Sequence, residues 1–187
     1  MELTESYWSG DFSTPLQDIT LGDLLRQLAH EVPERIGFVE SLPPPQITRR
    51  WSYRELLDSA ERSARALLRH FRPGERVAVW APNCAEWVLL QHGAALAGLV
   101  LVTVNPAYLA QEVRHVLEAS GAAGIFHAPD YRGTDMTAIV RQLRDALPAL
   151  RHSTSLADWS GFVAGADPAI ALPGVSPDDV VQIQFTS

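Results

Sequence analysis

The amino-acid sequence predicts a doubly wound α/β fold, a parallel sheet with helices on both faces, over about residues 48–187. Three observations lead there. Short apolar, β-branched runs alternate with stretches of helical periodicity along the chain. The intervals between strand candidates are long enough to hold a helix, as a parallel connection requires. A chain of 187 residues that is 47% hydrophobic can also fill the core such a sheet needs.

The first elements precede that core. Thr20 stands ahead of Leu21, Leu24, Leu25, Leu28 and Val32 at helical spacing, with Asp23 three residues on in the manner of a capping box. This helix should end near Pro33. Ile36 to Ser41 reads as a short strand, and Pro43, Pro44 and Pro45 as a loop, because proline lacks the donor a central strand needs. Residues 1–47 are therefore expected to form an N-terminal extension with one helix and one short strand, and residues 48–187 the α/β subdomain.

From Trp51 the elements follow in alternation. Ser52-Tyr53-Arg54-Glu55 repeats the capping chemistry before Tyr53, Leu56, Leu57, Ala60, Ala64, Leu67, Leu68 and Phe71, the best-defined helical stripe in the chain. Pro73-Gly74 turns into a strand over Arg76–Trp80, and Pro82 and Asn83 precede a helix from about Cys84 to Ala97, stopped by Gly98. Leu99–Val104 is the next strand, Gln111–Ser120 a helix, Gly124–His127 a strand, Met136–Leu147 a helix and His152–Leu156 a short strand. A loop rich in Ala, Gly and Pro then leads to a turn at Asp178-Asp179 and a final strand over Val180–Phe185.

Composition excludes several kinds of function. A formal charge of −7 argues against nucleic acid or anionic lipid as partner. All 15 basic residues are arginine, since no lysine occurs. The single cysteine, Cys84, rules out an internal disulfide and fits a cytoplasmic protein, as does an acidic start (Glu2, Glu5, Asp11) unlike a signal peptide. Trp87 to Val104 is the most apolar region, but His92, Gly93 and Gly98 make it a helix and a strand and not a transmembrane segment.

Several chemical motifs fall away too. His30, His70, His92, His115, His127 and His152 are scattered without the spacing of a zinc site, so no metal ligand is expected. Gly93 to Gly98 lacks the Lys that a Walker loop needs, and helix packing explains both glycines. No Gly-x-Ser-x-Gly elbow is present. Cys84 near the start of a helix has a macrodipole to lower its thiol pKa, yet with no basic partner beside it in sequence it reads as structural. Trp80, Trp87 and Tyr108 are placed in the core before a ligand cleft.

The order of local motifs carries a resemblance. Tyr7-Trp8, Trp51-Ser52-Tyr53-Arg54-Glu55-Leu56, Gly74-Glu75-Arg76-Val77-Ala78-Val79, Asn83 with Glu86-Trp87, Ala97 through Tyr108, Ser120-Gly121-Ala122 and Asp178-Asp179 follow one another as in the AMP-binding, acyl-CoA synthetase family. Asn105-Pro106-Ala107-Tyr108 and Gln182-Ile183-Gln184-Phe185 are closer to fatty-acyl-CoA synthetases than to peptide-synthetase adenylation domains. Phe185-Thr186-Ser187 resembles the opening of the family's ATP phosphate loop, which continues through glycines to a Pro-Lys-Gly. The resemblance implies the N-terminal subdomain of the adenylate-forming synthetase fold, truncated, from an acid–thiol ligase that uses ATP, Mg²⁺ and CoA on a fatty acid. Thr186 and Ser187 become cofactor-binding positions, with no catalytic residue in the 187 residues. These residues alone are expected to be inactive, to bind none of the cofactors tightly and to self-associate through an uncovered final strand. A self-contained flavodoxin-like binding or interaction module is the alternative.

Overall fold

The computed structural model describes residues 10, 13, 17–41 and 48–185. The proline loop expected at 43–45, the Tyr7-Trp8 landmark and both phosphate-loop positions, Thr186 and Ser187, lie outside these residues. Helix α1 (Leu21–Glu31) starts at the expected cap, where Thr20 Oγ1 accepts from the Asp23 amide at 2.9 Å. Strand β1 (Ile36–Glu40) pairs antiparallel with β2 (Arg49–Ser52). Phe38 and Trp51 stack across this pair with ring centroids 5.1 Å apart.

The capping box at Ser52 is complete. Its hydroxyl accepts from the Glu55 amide, and the Glu55 carboxylate accepts from the Ser52 amide at 2.8 Å, so α2 (Tyr53–Leu68) begins at its first good residue. The stripe read from sequence is the buried face, with Leu56, Ala60, Ala64 and Leu67 enclosed.

Next come β3 (Arg76–Trp80), α3 (Ala85–Leu96), β4 (Val100–Val104), α4 (Ala110–Ser120) and β5 (Gly124–His127). A two-residue hairpin arm, β6 (Asp130–Tyr131) with β7 (Thr134–Asp135), interrupts the alternation before α5 (Met136–Ala146) and β8 (His152–Ser155). The segment after β8, expected to be loop, begins with a 3-10 turn (Leu156–Asp158) and a short helix, α6 (Trp159–Ala164), which buries Leu156 and Trp159. The final strand, β9 (Gln182–Gln184), is shorter than expected. Val180 and Val181 before it are exposed, and Asp178-Asp179 lies in the anticipated turn, where the Asp179 amide donates to Ser176 O.

Five strands form one wholly parallel sheet in the order β8-β5-β3-β4-β9. The chain steps from β3 to β4, crosses back to β5, and so reverses its direction of winding. With right-handed crossovers, that reversal puts α3 on one face of the sheet and α4 and α5 on the other. Helices α1, α2 and α3 pack on one another, as do α4 and α5. Val77, Ala78, Val79 and Trp80 of β3 are all at 0% exposure, which only a strand covered on both faces achieves. The fold class read from the sequence is the one observed.

Close packing sets the glycines apart. A Cβ on Gly93 would come within 2.6 Å of Ser63 Cβ, so this glycine lets α3 approach α2. Gly98 is the helix stop read from the sequence, its φ of +65° making the turn from α3 into β4, so the helix packing expected of both glycines applies to Gly93.

Among the described residues no helix is long and apolar enough to cross a membrane; Trp87 to Val104 divides between α3 and β4. Leu67 sits at 0% exposure on the α2 stripe. Leu67→Ala is expected to cost about 2–5 kcal/mol through lost burial and a residual cavity. Chemical denaturation checks this, and an unchanged midpoint contradicts the packing described.

Candidate functional site

Ligands of open parallel sheets bind beyond the carboxyl ends of the strands, because loops there diverge and backbone donors are free. In this chain the ends of β3, β4 and β9 open onto a cavity of about 450 Å³. Asn83 and Trp87 come from the entry to α3, Asn105 and Tyr108 from the loop after β4, and Gln184 and Phe185 from β9 and its end.

The floor is fixed from below. Trp80, wholly buried at the end of β3, donates its indole Nε1–H to Asn105 O at 3.1 Å. The Asn105 side-chain oxygen accepts from the Ala107 amide at 2.9 Å, and Asn105 O also accepts from the Tyr108 amide at 3.0 Å. The Glu112 carboxylate then accepts from the Leu109 amide at 2.8 Å, which starts α4. These bonds hold the Asn105–Tyr108 loop in one conformation.

The wall at α3 is held by the two-stranded sheet. Glu40 of β1 accepts from the Ala85 amide at 2.7 Å, supplying the missing partner at the start of α3. Arg49 of β2 binds Glu40 at 2.6 Å and Glu86 at 2.7 Å, joining both carboxylates. The hydrogen bond from the Arg49 guanidinium holds the Glu40 carboxyl below its ordinary pKa, so Glu40 is ionised at neutral pH.

The aromatic residues divide between the two roles weighed for them. Trp80 is core, whereas Trp87 and Tyr108 are half-buried and line the cavity while packing on the core. With three amide side chains (Asn83, Asn105 and Gln184) and no charged group in the lining, the cavity suits the uncharged part of a ligand: planar groups, hydroxyls and amides. It offers no charge to neutralise phosphates.

Cys84 caps α3 beside this cavity, and burial outweighs the helix terminus there. The thiol is pushed up to about 11, chiefly by desolvation, with Glu86 and Glu40 adding to the rise against a hydrogen bond from the Trp87 backbone. It is a structural cysteine, as the sequence suggested. Among the described residues no three His, Cys, Asp or Glu side chains form a metal-binding group, although folding brings His70 and His152 to 4.2 Å between ring centroids.

The arrangement defines a parallel α/β domain with a ligand cavity where the central strands end. The family model of the AMP-binding enzyme matches residues 25–187, and the chain belongs to that family. Mouse medium-chain acyl-CoA ligase ACSF2, a mitochondrial protein, is 32% identical over 182 residues, which cover 94% of this chain and 28% of the relative. A Mycobacterium tuberculosis CoA ligase named for a methyl-dioxo-octahydroindenyl propanoyl substrate is 34% identical over 180 residues, covering 90% of this chain and 34% of its own. The chain therefore spans about a third or less of the length of these two relatives.

Among solved structures, the inhibitor-bound N-terminal domain of FACL13 from Mycobacterium tuberculosis superposes with a TM-score of 0.74 at 27% identity, over 90% of this chain and 41% of that one. A long-chain-fatty-acid–CoA ligase from Archaeoglobus fulgidus gives 0.81 over 97% of this chain and 37% of that one; at 20% identity it bears on the fold alone.

Cys84 should react slowly with iodoacetamide at neutral pH because so little of it is thiolate. Alkylation in the folded protein is expected to be at least about tenfold slower than in denaturant. Equal rates would contradict the burial described.

Proposed function

We propose that this chain is the N-terminal portion of an ATP-dependent fatty-acid–CoA ligase and supplies one wall of its nucleotide site. The family match across residues 25–187, with β9 ending at the strand-end cavity, is the observation that supports this reading. In the reaction proposed, a substrate carboxylate oxygen attacks the α-phosphorus of ATP and pyrophosphate leaves. The CoA thiolate then attacks the acyl carbonyl and AMP leaves.

The residues present divide these tasks. Thr186 and Ser187 directly follow Phe185 in sequence, so their hydroxyls and amides are proposed to meet phosphate oxygens at the start of the phosphate loop. The neutral lining from Asn83, Trp87, Asn105 and Tyr108 is proposed to bound a less charged part of the same ligands and to exclude water from it. Bound Mg²⁺ would supply charge neutralisation at the phosphates, which the neutral cavity lining does not provide.

No lysine is available among the 187 residues to act as a point charge on the transferred phosphates. We therefore propose that these residues alone do not catalyse carboxylate-dependent exchange of pyrophosphate into ATP, and that a chain extended to the length of its relatives does.

In that extended chain, Ser187→Ala removes a hydrogen bond to a charged ligand and is expected to lower exchange by about tenfold to a hundredfold. Its unfolding midpoint should barely move. Equal exchange by mutant and wild type removes Ser187 from the site, and robust exchange by the 187 residues alone overturns the reading.

A further inference from the structure

A second cavity, of about 390 Å³, lies at the opposite edge of the sheet, between α5 and β8. Its size falls within the ~300–1,000 Å³ of small-molecule sites. In a chain of net charge −7 its lining is unusual: Arg141, Arg144 and Arg151 are gathered there, with Asp145 as the one acidic group lining it.

Two of the arginines are already oriented. Arg144 donates to Ser153 Oγ at 3.2 Å and to Arg151 O at 3.4 Å, and Arg151 is fixed by both oxygens of Glu75 at 2.9 and 3.0 Å. Arg141 forms no ion pair or hydrogen bond among the described residues, so its guanidinium fork is available to an anion.

The inner wall adds selectivity. His127 is only 4% exposed and lines the cavity, and its Nδ1 lies 2.8 Å from Ala128 O. A carbonyl oxygen only accepts, so Nδ1 carries the proton and Nε2 is left as a bare acceptor. Burial, which lowers the pKa of this histidine, keeps the ring neutral at physiological pH.

We propose that this cavity binds a phosphoryl group, held by Arg141 with Arg144 and Ser153 and donating a P–O–H hydrogen bond to His127 Nε2. The assignment is independent of the strand-end cavity and of the ligase reaction. A hydrogen phosphate or protonated phosphomonoester has the required O–H, whereas sulfate has the charge without the proton. Val140 and Leu150 supply an apolar wall for an organic substituent.

The test titrates the protein with inorganic phosphate, glycerol phosphate and sulfate, following amide chemical shifts of α5 and β8. Both phosphates should give saturable shifts there, with sulfate weaker by about tenfold or more for want of the His127 bond. Tighter glycerol phosphate identifies a monoester as the occupant and tighter free phosphate the inorganic ion; both keep the phosphoryl site. Arg141→Ala should weaken phosphate at least about tenfold, while Arg62→Ala, an equal charge loss at an exposed position of α2, should not. Shifts that do not saturate, sulfate binding as tightly as phosphate, or equal effects of the two substitutions would each overturn the proposal.

Discussion

The structure depends on one strand being covered on both sides. Because β3 has neighbours on each edge and buries Val77 through Trp80 against both layers, its flanking connections must be helices, and those helices must be apolar toward the sheet. Helix α3 shows the consequence. It is enclosed by α2, α1 and the sheet, with seven of its twelve residues buried, and so carries apolar residues nearly all the way round. Gly93 removes the last obstacle to that approach.

The same constraint makes the cavity. Parallel strands all end on one side, so the loops after β3 and β4 and the end of β9 must meet there. What they present is then set by local bonds: Trp80 beneath Asn105, and the Arg49 bridge between Glu40 and Glu86 at the start of α3. The bridge ties β1 and β2 to the cavity wall, joining the N-terminal elements to the strand-end site. Its strength comes from two carboxylates sharing one guanidinium with partial burial, a setting in which an ion pair is worth more than on an open surface.

Most of the fold was legible in the sequence because the signals were periodic or chemical. The caps at Thr20 and Ser52, the α2 stripe and the apolar runs of β3, β4 and β5 each combine local propensity with burial, and the two agree. Strand β2 carries no strand signal of its own, because Arg49 and Arg50 are exposed and the strong cap at Ser52 marks a helix start. The β6–β7 arm has two residues per strand, too few for any alternation to register. Helix α6 holds six residues among Ala, Gly and Pro, and its anchors are long-range: Phe126 with Phe162 at 5.1 Å, and Arg69 donating to Gly165 O. The cavity was legible only in part. Trp87 and Tyr108 line it because of where their backbones lie, and in the second cavity only folding brings His127 of β5 beside Arg141, Arg144 and Arg151.

The central claim is that the cavity at the strand ends is a wall of the adenylate site. Its most direct test is a titration of a chain extended to the length of its relatives with a non-hydrolysable acyl-adenylate, followed at the indole N–H resonances. The account predicts a saturable shift at Trp87, which lines the cavity, and none at Trp159 in α6. Saturable binding of the analogue that leaves Trp87 unmoved would contradict it.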